Sequence, residues 1–310
     1  MTKIIQDDYD ENALFGIPAE MPPRRLSPSP PQKKSNNPLA AYFRVPGLTI
    51  SLPTKGAFLE EGAYEPNMAG EVEVLPMRAQ DELLMKSPDA LMSGEALVKL
   101  LESCVPAIKT PRAISAPDLD VLLLAIRASS YGENMDLDVV CPECKEENTF
   151  ACHIPAVLQT MKTIPSENPV RLGHSVIAYV RPYNLENATR LSLAVFNETR
   201  SIQALEGKGE ETLMRARNES AKRLNKVALE QSADCVMKVV VKEGEVTERK
   251  HISEFLDNIP RDQSKKIDDK LKELNGMGID KTLPVQCTHC KHEWSTDVEF
   301  DPASFFEQDS

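Results

Sequence analysis

The chain has 310 residues, with 36 Lys plus Arg against 48 Asp plus Glu, 41% hydrophobic and 5% aromatic residues. This composition describes a soluble chain of one to three domains rather than a fibre, and its formal net charge of −12 repels a phosphate backbone, which makes nucleic acid a poor default partner. No stretch approaches the roughly 20 apolar residues of a membrane-spanning helix: the longest burst, Val121 to Ile126, ends at Arg127.

In chain order, Met1 to Glu20 carries Asp7, Asp8, Asp10 and Glu11 where a secretory signal would carry a positive start and an apolar run. The chain is therefore expected to be made and kept in cytosol. Seven prolines fall between Pro18 and Pro38; each removes a donor and restricts the residue before it, so residues 1–41 read as a disordered or tethering leader. Residues 42–134 read as an α+β domain. Its apolar bursts Phe43-Arg44-Val45, Leu48 to Leu52 and Val72-Glu73-Val74 alternate with period two and are punctuated by Gly and Pro, which predicts strands. Leu97, Leu101, Cys104 and Val105 then form a helical stripe ended by Pro106. A second helix is predicted from Ser115, with Asp118 three residues on, Pro117 in the first turn, a buried stripe of Leu119, Leu122, Leu123 and Ile126, and Gly132 past its end.

Residues 156–280 read as mainly helical. From Asn184 to Cys235 a charged helical region is interrupted at Gly207-Lys208-Gly209, with near-heptad apolar positions Ala188, Leu191, Val195, Ile202 and Leu205 in one arm. Leu213, Leu224, Val227, Ala228 and Cys235 continue the pattern in the other arm, and together they predict an antiparallel helical hairpin. Val239 to Lys250, around Glu243-Gly244, reads as a β-hairpin, and Pro260 to Asn275 as a helix burying Ile267, Leu271 and Leu274 and stopped by Gly276.

Two segments on either side of this region resemble each other. Leu137 to Glu147 contains Cys141-Pro-Glu-Cys144, and Leu283 to Glu293 contains Cys287-Thr-His-Cys290. In each, a short strand leads into a Cys-x-x-Cys knuckle and an alternating strand leaves it, with Phe150, Cys152 and Ile154 in one and Trp294, Val298 and Phe300 in the other. A two-residue gap lets both thiolates of a turn face one ion, and two such turns supply the four sulfurs of a structural Zn²⁺ site. Residues 135–155 plus 281–301 are thus expected to form a split zinc ribbon on Cys141, Cys144, Cys287 and Cys290, with the helical region inserted between its halves. The same sulfur set also suits iron. Cys144 and Cys287 are 143 positions apart, and closing so long a loop costs on the order of 4 kcal/mol, against about 10 to 16 kcal/mol for structural zinc in small peptides.

His289 and His292 beside the second pair, and Cys152 with His153 after the first, leave a mixed ligand set open. A redox pair of the thioredoxin type would sit at a helix start, whereas both pairs here follow strands. A closed four-sulfur site has no open coordination position, so it scaffolds and does not catalyse. The five histidines form no His-Glu-x-x-His, and neither Gly-x-Ser-x-Gly nor a phosphate-cradling glycine loop occurs. His174 and His251 read as satisfied polar groups. No enzyme is expected.

Leu52-Pro-Thr-Lys-Gly56, Gly70 to Glu82 and Lys86-Ser-Pro-Asp-Ala-Leu91 resemble the T4-type bacteriophage baseplate protein family, with the likeness clear from Tyr42 to Ile154. The resemblance implies a non-enzymatic structural or assembly protein of a contractile tail baseplate, at the hub, with other hub or wedge proteins as partners. It also implies assembly in the host cytoplasm and a place in the tail baseplate. The charges of Arg78, Glu82 and Lys86 follow a strand read as poorly buried, which makes them candidates for a partner-facing surface. The competing reading is a zinc-ribbon module that binds nucleic acid, with Lys145, Lys291 and Trp294 at the backbone or on a base.

Overall fold

The computed structural model of the chain describes residue 39 and residues 43–297, apart from 174, 206 and 208. The expected leader over 1–41 lies outside the described residues except for Leu39, and so do His174, Val298 and Phe300.

The first two strands, β1 (Leu48–Ser51) and β2 (Glu71–Val74), pair antiparallel with Leu48 opposite Val74. Alternation sends Val72 and Val74 into the core and leaves Glu71 and Glu73 half-exposed. The burst Phe43-Arg44-Val45, expected as a strand, is not one. Arg44 instead donates from its guanidinium to the carbonyl oxygens of Pro76 at 2.6 Å and Ser103 at 2.5 Å, so a side chain fixes this stretch and no ladder does.

Helices α1 (Ala79–Met85), α2 (Pro88–Met92), α3 (Glu95–Cys104) and α4 (Ala116–Tyr131) follow. Residue α3 Cys104 is fully buried, as its stripe predicts. The cap expected for α4 is present: the Ser115 hydroxyl accepts from the Asp118 N–H, and Gly132 closes the helix at φ 99°. The sequence predicts one buried stripe on α4, yet it is buried on every side from Val121 to Arg127, because β1, β2 and later elements pack around it. Asp118 also ties down the Leu52–Gly56 turn. Its carboxylate accepts the Thr54 N–H at 2.9 Å and the Thr54 hydroxyl, and both residues are buried.

Two hairpins bracket the rest of the chain: β3 (Asn134–Val140) with β4 (Glu147–His153), and β9 (Thr282–Gln286) with β10 (Glu293–Asp297). Ile154, expected on the outgoing strand, instead starts α5 (Ile154–Gln159), with Pro155 in its first turn. Between the hairpins lie β5 (Pro169–Arg171), β6 (Ile177–Val180), α6 (Leu185–Gln203), α7 (Glu210–Cys235), β7 (Val236–Val241), β8 (Gly244–Val246), α8 (Arg249–Asn258) and α9 (Arg261–Gly276). The chain is α+β, with helices inserted between the two halves of a split four-cysteine arrangement. The hairpin expected up to Lys250 is β7 with β8; it stops at Val246, and α8 begins at Arg249. It is half of a four-stranded antiparallel sheet in the order β5-β6-β7-β8.

Two apolar clusters result. One surrounds α4 and takes in Met135 and Cys152 of the first hairpin; the other lies between the four-stranded sheet and the buried stripes of α8 and α9. The described residues from Arg44 to Asp297 form one compact unit. Backbone bonds join the clusters: Ile164 N–H donates to the Pro53 carbonyl at 2.8 Å, and Ala116 N–H to the Tyr183 carbonyl at 2.8 Å.

Helices α6 and α7 form the expected antiparallel hairpin, tied by a bidentate pair from Arg223 to Glu198 at 2.6 and 2.7 Å. The seam differs from the sequence reading by one position. Leu191, Ala194, Ile202 and Leu205 of the first arm, and Leu213, Ala216, Leu224 and Val227 of the second, are at least half-buried, whereas Ala188, Val195 and Ala228 are exposed.

If Asp118 anchors the Leu52–Gly56 turn, Asp118→Ala strands a buried donor pair and costs about 2 to 3 kcal/mol. Urea unfolding should show the midpoint falling with an unchanged slope.

Candidate metal centre

The two knuckles are built alike. In the first, Cys141 N–H donates to the Glu146 carbonyl at 2.9 Å and Lys145 N–H to the Cys141 carbonyl at 3.0 Å; in the second, Cys287 N–H donates to the His292 carbonyl at 2.8 Å and Lys291 N–H to the Cys287 carbonyl at 3.1 Å. The residue after the second cysteine is left-handed in both, Lys145 at φ 64° and Lys291 at φ 62°. That turn is what carries the chain from one strand to the next while both sulfurs stay on its inner side.

The sequence-predicted cysteines meet. All four sulfurs lie within 4.8 Å of one another, with Cys141 Sγ 3.7 Å from Cys290 Sγ and Cys144 Sγ 3.6 Å from Cys287 Sγ. These contacts pair each cysteine with the opposite knuckle. The separations far exceed a disulfide bond of about 2.05 Å, and a tetrahedron with metal–sulfur bonds of about 2.3 Å has edges of about 3.8 Å. The donor set therefore fits a four-coordinate ion. Cys141 and Cys287 are fully buried, Cys144 is half-buried and Cys290 is exposed. The thiols do not share charge evenly. The backbone N–H of Cys290, ahead of that of His289, draws Cys287 down to about 6. The strongest single influence on Cys144, the Glu146 N–H, favours its thiolate, yet desolvation and its three sulfur neighbours push it up to about 12. Four thiolates this close need a cation to ionise together.

The flanking candidates stay out of this cluster. Cys152 packs into the apolar core, His153 lies beside Glu133 at 3.7 Å, and His289 is exposed. His292 stacks on Trp294 with ring centroids 6.0 Å apart, and Trp294 meets Phe150 edge to face at 6.1 Å, joining the two hairpins with an aromatic contact. Lys145 donates to the Pro142 carbonyl at 2.8 Å, back onto its own knuckle.

Asn148, which sequence reasoning missed, holds the two halves together. Its Oδ1 accepts the Thr288 N–H at 2.9 Å and the Thr288 hydroxyl at 2.8 Å. Its amide nitrogen donates to the Glu146 carbonyl at 3.0 Å and to Cys287 Sγ at 3.6 Å. Among the residues after the first knuckle, a polar side chain on the inward phase of an alternating strand is the only hint the sequence gives.

The segment from Arg78 to Lys86 forms α1 with its two flanking residues. It follows a strand whose Val72 and Val74 are buried, so the premise of a poorly buried strand is wrong. Its strongest chemistry points inward at Asp81, which is 5% exposed and accepts the Arg78 guanidinium at 3.0 and 3.1 Å, the Arg78 N–H at 2.9 Å and the Ser103 hydroxyl at 2.7 Å. Burial pushes the Asp81 carboxyl up, but these donors, led by Arg78, outweigh it and hold the group below its ordinary value. Arg78 and Lys86 are nevertheless exposed and Glu82 is half-exposed, with Glu82 and Lys86 paired at 3.0 Å and an exposed Leu83 beside them.

A family model described as T4 bacteriophage base plate protein matches residues 52–307, most of the chain and both knuckles. Comparisons with curated proteins and with solved structures return no match.

Because the folded Asp81 pKa is depressed, its contribution is present above the unfolded value of about 3.9 and is lost as pH falls through the folded value. Asp81→Asn should therefore lower stability by about 1 to 3 kcal/mol at pH 7, and acid titration of both proteins should bring their unfolding midpoints together below about pH 4.

Proposed function

The chain belongs to the T4 bacteriophage base plate protein family, which gives it a structural role in the phage baseplate, and from that premise we propose that it acts at the baseplate hub through protein–protein contacts, stiffened by one structural Zn²⁺. Cys141, Cys144, Cys287 and Cys290 hold the ion. Four thiolates on a doubly charged cation complete its shell, so the ion supplies cohesion and no reactive water. The observation that carries this reading is the meeting of four sulfurs from segments 143 positions apart at the separations of a metal-bound set. Asn148 supports the site from outside by bonding to Cys287 Sγ and to both knuckles, as partners of ligating groups commonly do.

The neighbours of the chain in this reading are other baseplate hub or wedge proteins, and the exposed side of Arg78, Glu82 and Lys86 is one of the surfaces they meet. Charge on that side sets register and rate of docking more than raw affinity. No described helix is long and apolar enough to cross a membrane, which agrees with a role inside a protein assembly.

Elemental analysis of purified protein should return one zinc per chain. Chelation should lower the melting temperature, and Cys287→Ser should abolish both the metal and that response; a chain free of metal when prepared with zinc present would overturn the clamp. Asn148→Ala should keep the metal but weaken its binding about 10- to 100-fold. For the partner surface, reversing charge at Glu82 and Lys86 together, which leaves the Arg78–Asp81 pair intact, should cut the yield of complete tails while leaving the melting temperature within a few degrees; normal yield would remove this surface from the reading.

A further inference from the structure

Outside the metal centre, the α6–α7 hairpin presents a face that its own seam does not use. On α7, Met214, Asn218, Ala221, Asn225, Ala228 and Ser232 recur in alternating steps of four and three, and all but the half-buried Ser232 are exposed. Such spacing keeps side chains on one side of a helix, about a third of a turn away from the seam formed by Leu213, Ala216, Leu224 and Val227. On α6 the matching side carries Ala188, Ser192, Val195 and Thr199, all exposed. Because the helices run antiparallel, these two stripes flank the seam on the same side of the hairpin. No position in either stripe is charged, although Arg217 and Lys222 border the α7 stripe. The opposite side holds the charge, in the ion pairs Arg190–Asp234, Arg223–Glu198 and Arg223–Glu219.

We propose that this uncharged side is a self-association surface, on which the hairpins of two copies of the chain pack face to face into a four-helix bundle. Three observations select a second copy as the occupant. The heptad steps on α7 offer the knobs and holes that a helix of the same spacing fills, and the alanines let two backbones approach closely. With a net charge of −12, a second copy meets like charge over most of the surface, whereas here it meets none on the stripes themselves. The exposed part of the α7 stripe, Met214 to Ala228, is about 21 Å long, with Ser232 beyond it bonded to Asp268 of α9, and two helices about 9 Å apart present a face about 20 Å wide, so pairing buries on the order of 800 Å² in total, the size of a weak, reversible interface.

Sedimentation equilibrium of the full chain under reducing conditions tests this without any baseplate partner. The wild type should be a dimer at tens of micromolar. The double variant Ala221→Arg, Ala228→Arg, which keeps good helix formers at both sites, should weaken dimerisation at least tenfold with unchanged circular dichroism. Changing the charged side by Arg215→Ala with Lys226→Ala should leave the dimer intact. Should the arginine variant lose helical signal, Val195→Glu on the other arm supplies the same test. A monomeric wild type, a dimer that survives charge on the stripes, or equal loss from either side would overturn the proposal.

Discussion

Everything after residue 153 and before residue 282 is a detour that must return to where it started, because Cys141 with Cys144 and Cys287 with Cys290 bring their sulfurs to within 4.8 Å. That requirement fixes two hairpins against each other before any other long-range contact is counted. Its cost is chain entropy, which grows slowly with loop length, so a detour of this size is little worse than a much shorter one. Asn148 and the Phe150–Trp294 contact add directional bonds and apolar area to the same junction. The detour is itself folded, with a sheet, two packed helices and an apolar cluster of its own, so the ends of the loop are presented close together by structure as well as by sulfur chemistry.

How much of this was legible in the sequence depended on how local the cause was. The knuckles were readable because a Cys-x-x-Cys spacing between alternating strands states its own geometry, and α3, α4 and α9 were readable from stripes, caps and stops lying within one element. The meeting of the two knuckles was an inference from ligand count, and the geometry agrees with it. The sheet strands β5 and β6 were not seen: they are short, and Ile177 to Val180 takes its meaning from β7, whose Val240 stands opposite Ile177 across a long stretch of sequence. Asn148 was missed for a similar reason, since an asparagine in a strand says nothing until the second knuckle is beside it.

Two of the misreadings have physical sources as well. Ala188, Val195 and Ala228 were placed on the hairpin seam because a strict heptad drifts by about 20° per repeat against a straight helix, and over several turns a neighbouring position takes over the contact. Arg44 was read as part of a strand, and Asp81, between the surface candidates Arg78 and Glu82, was given no role of its own. In the folded chain each is held by side-chain bonds to Ser103, and Arg44 lies 3.7 Å from Asp81, making an inward polar junction between the start of α1 and the end of α3. Polar side chains that bond to distant backbone leave no periodic trace.

The adjacency of the two hairpins has a mechanical side. With Asn148 bonded to Thr288 and Phe150 packed on Trp294, tension applied at residues 134 and 297 has a short route from one hairpin to the other that bypasses the intervening sheet and helices. A subunit built this way can be pulled at its flanks without stretching its interior.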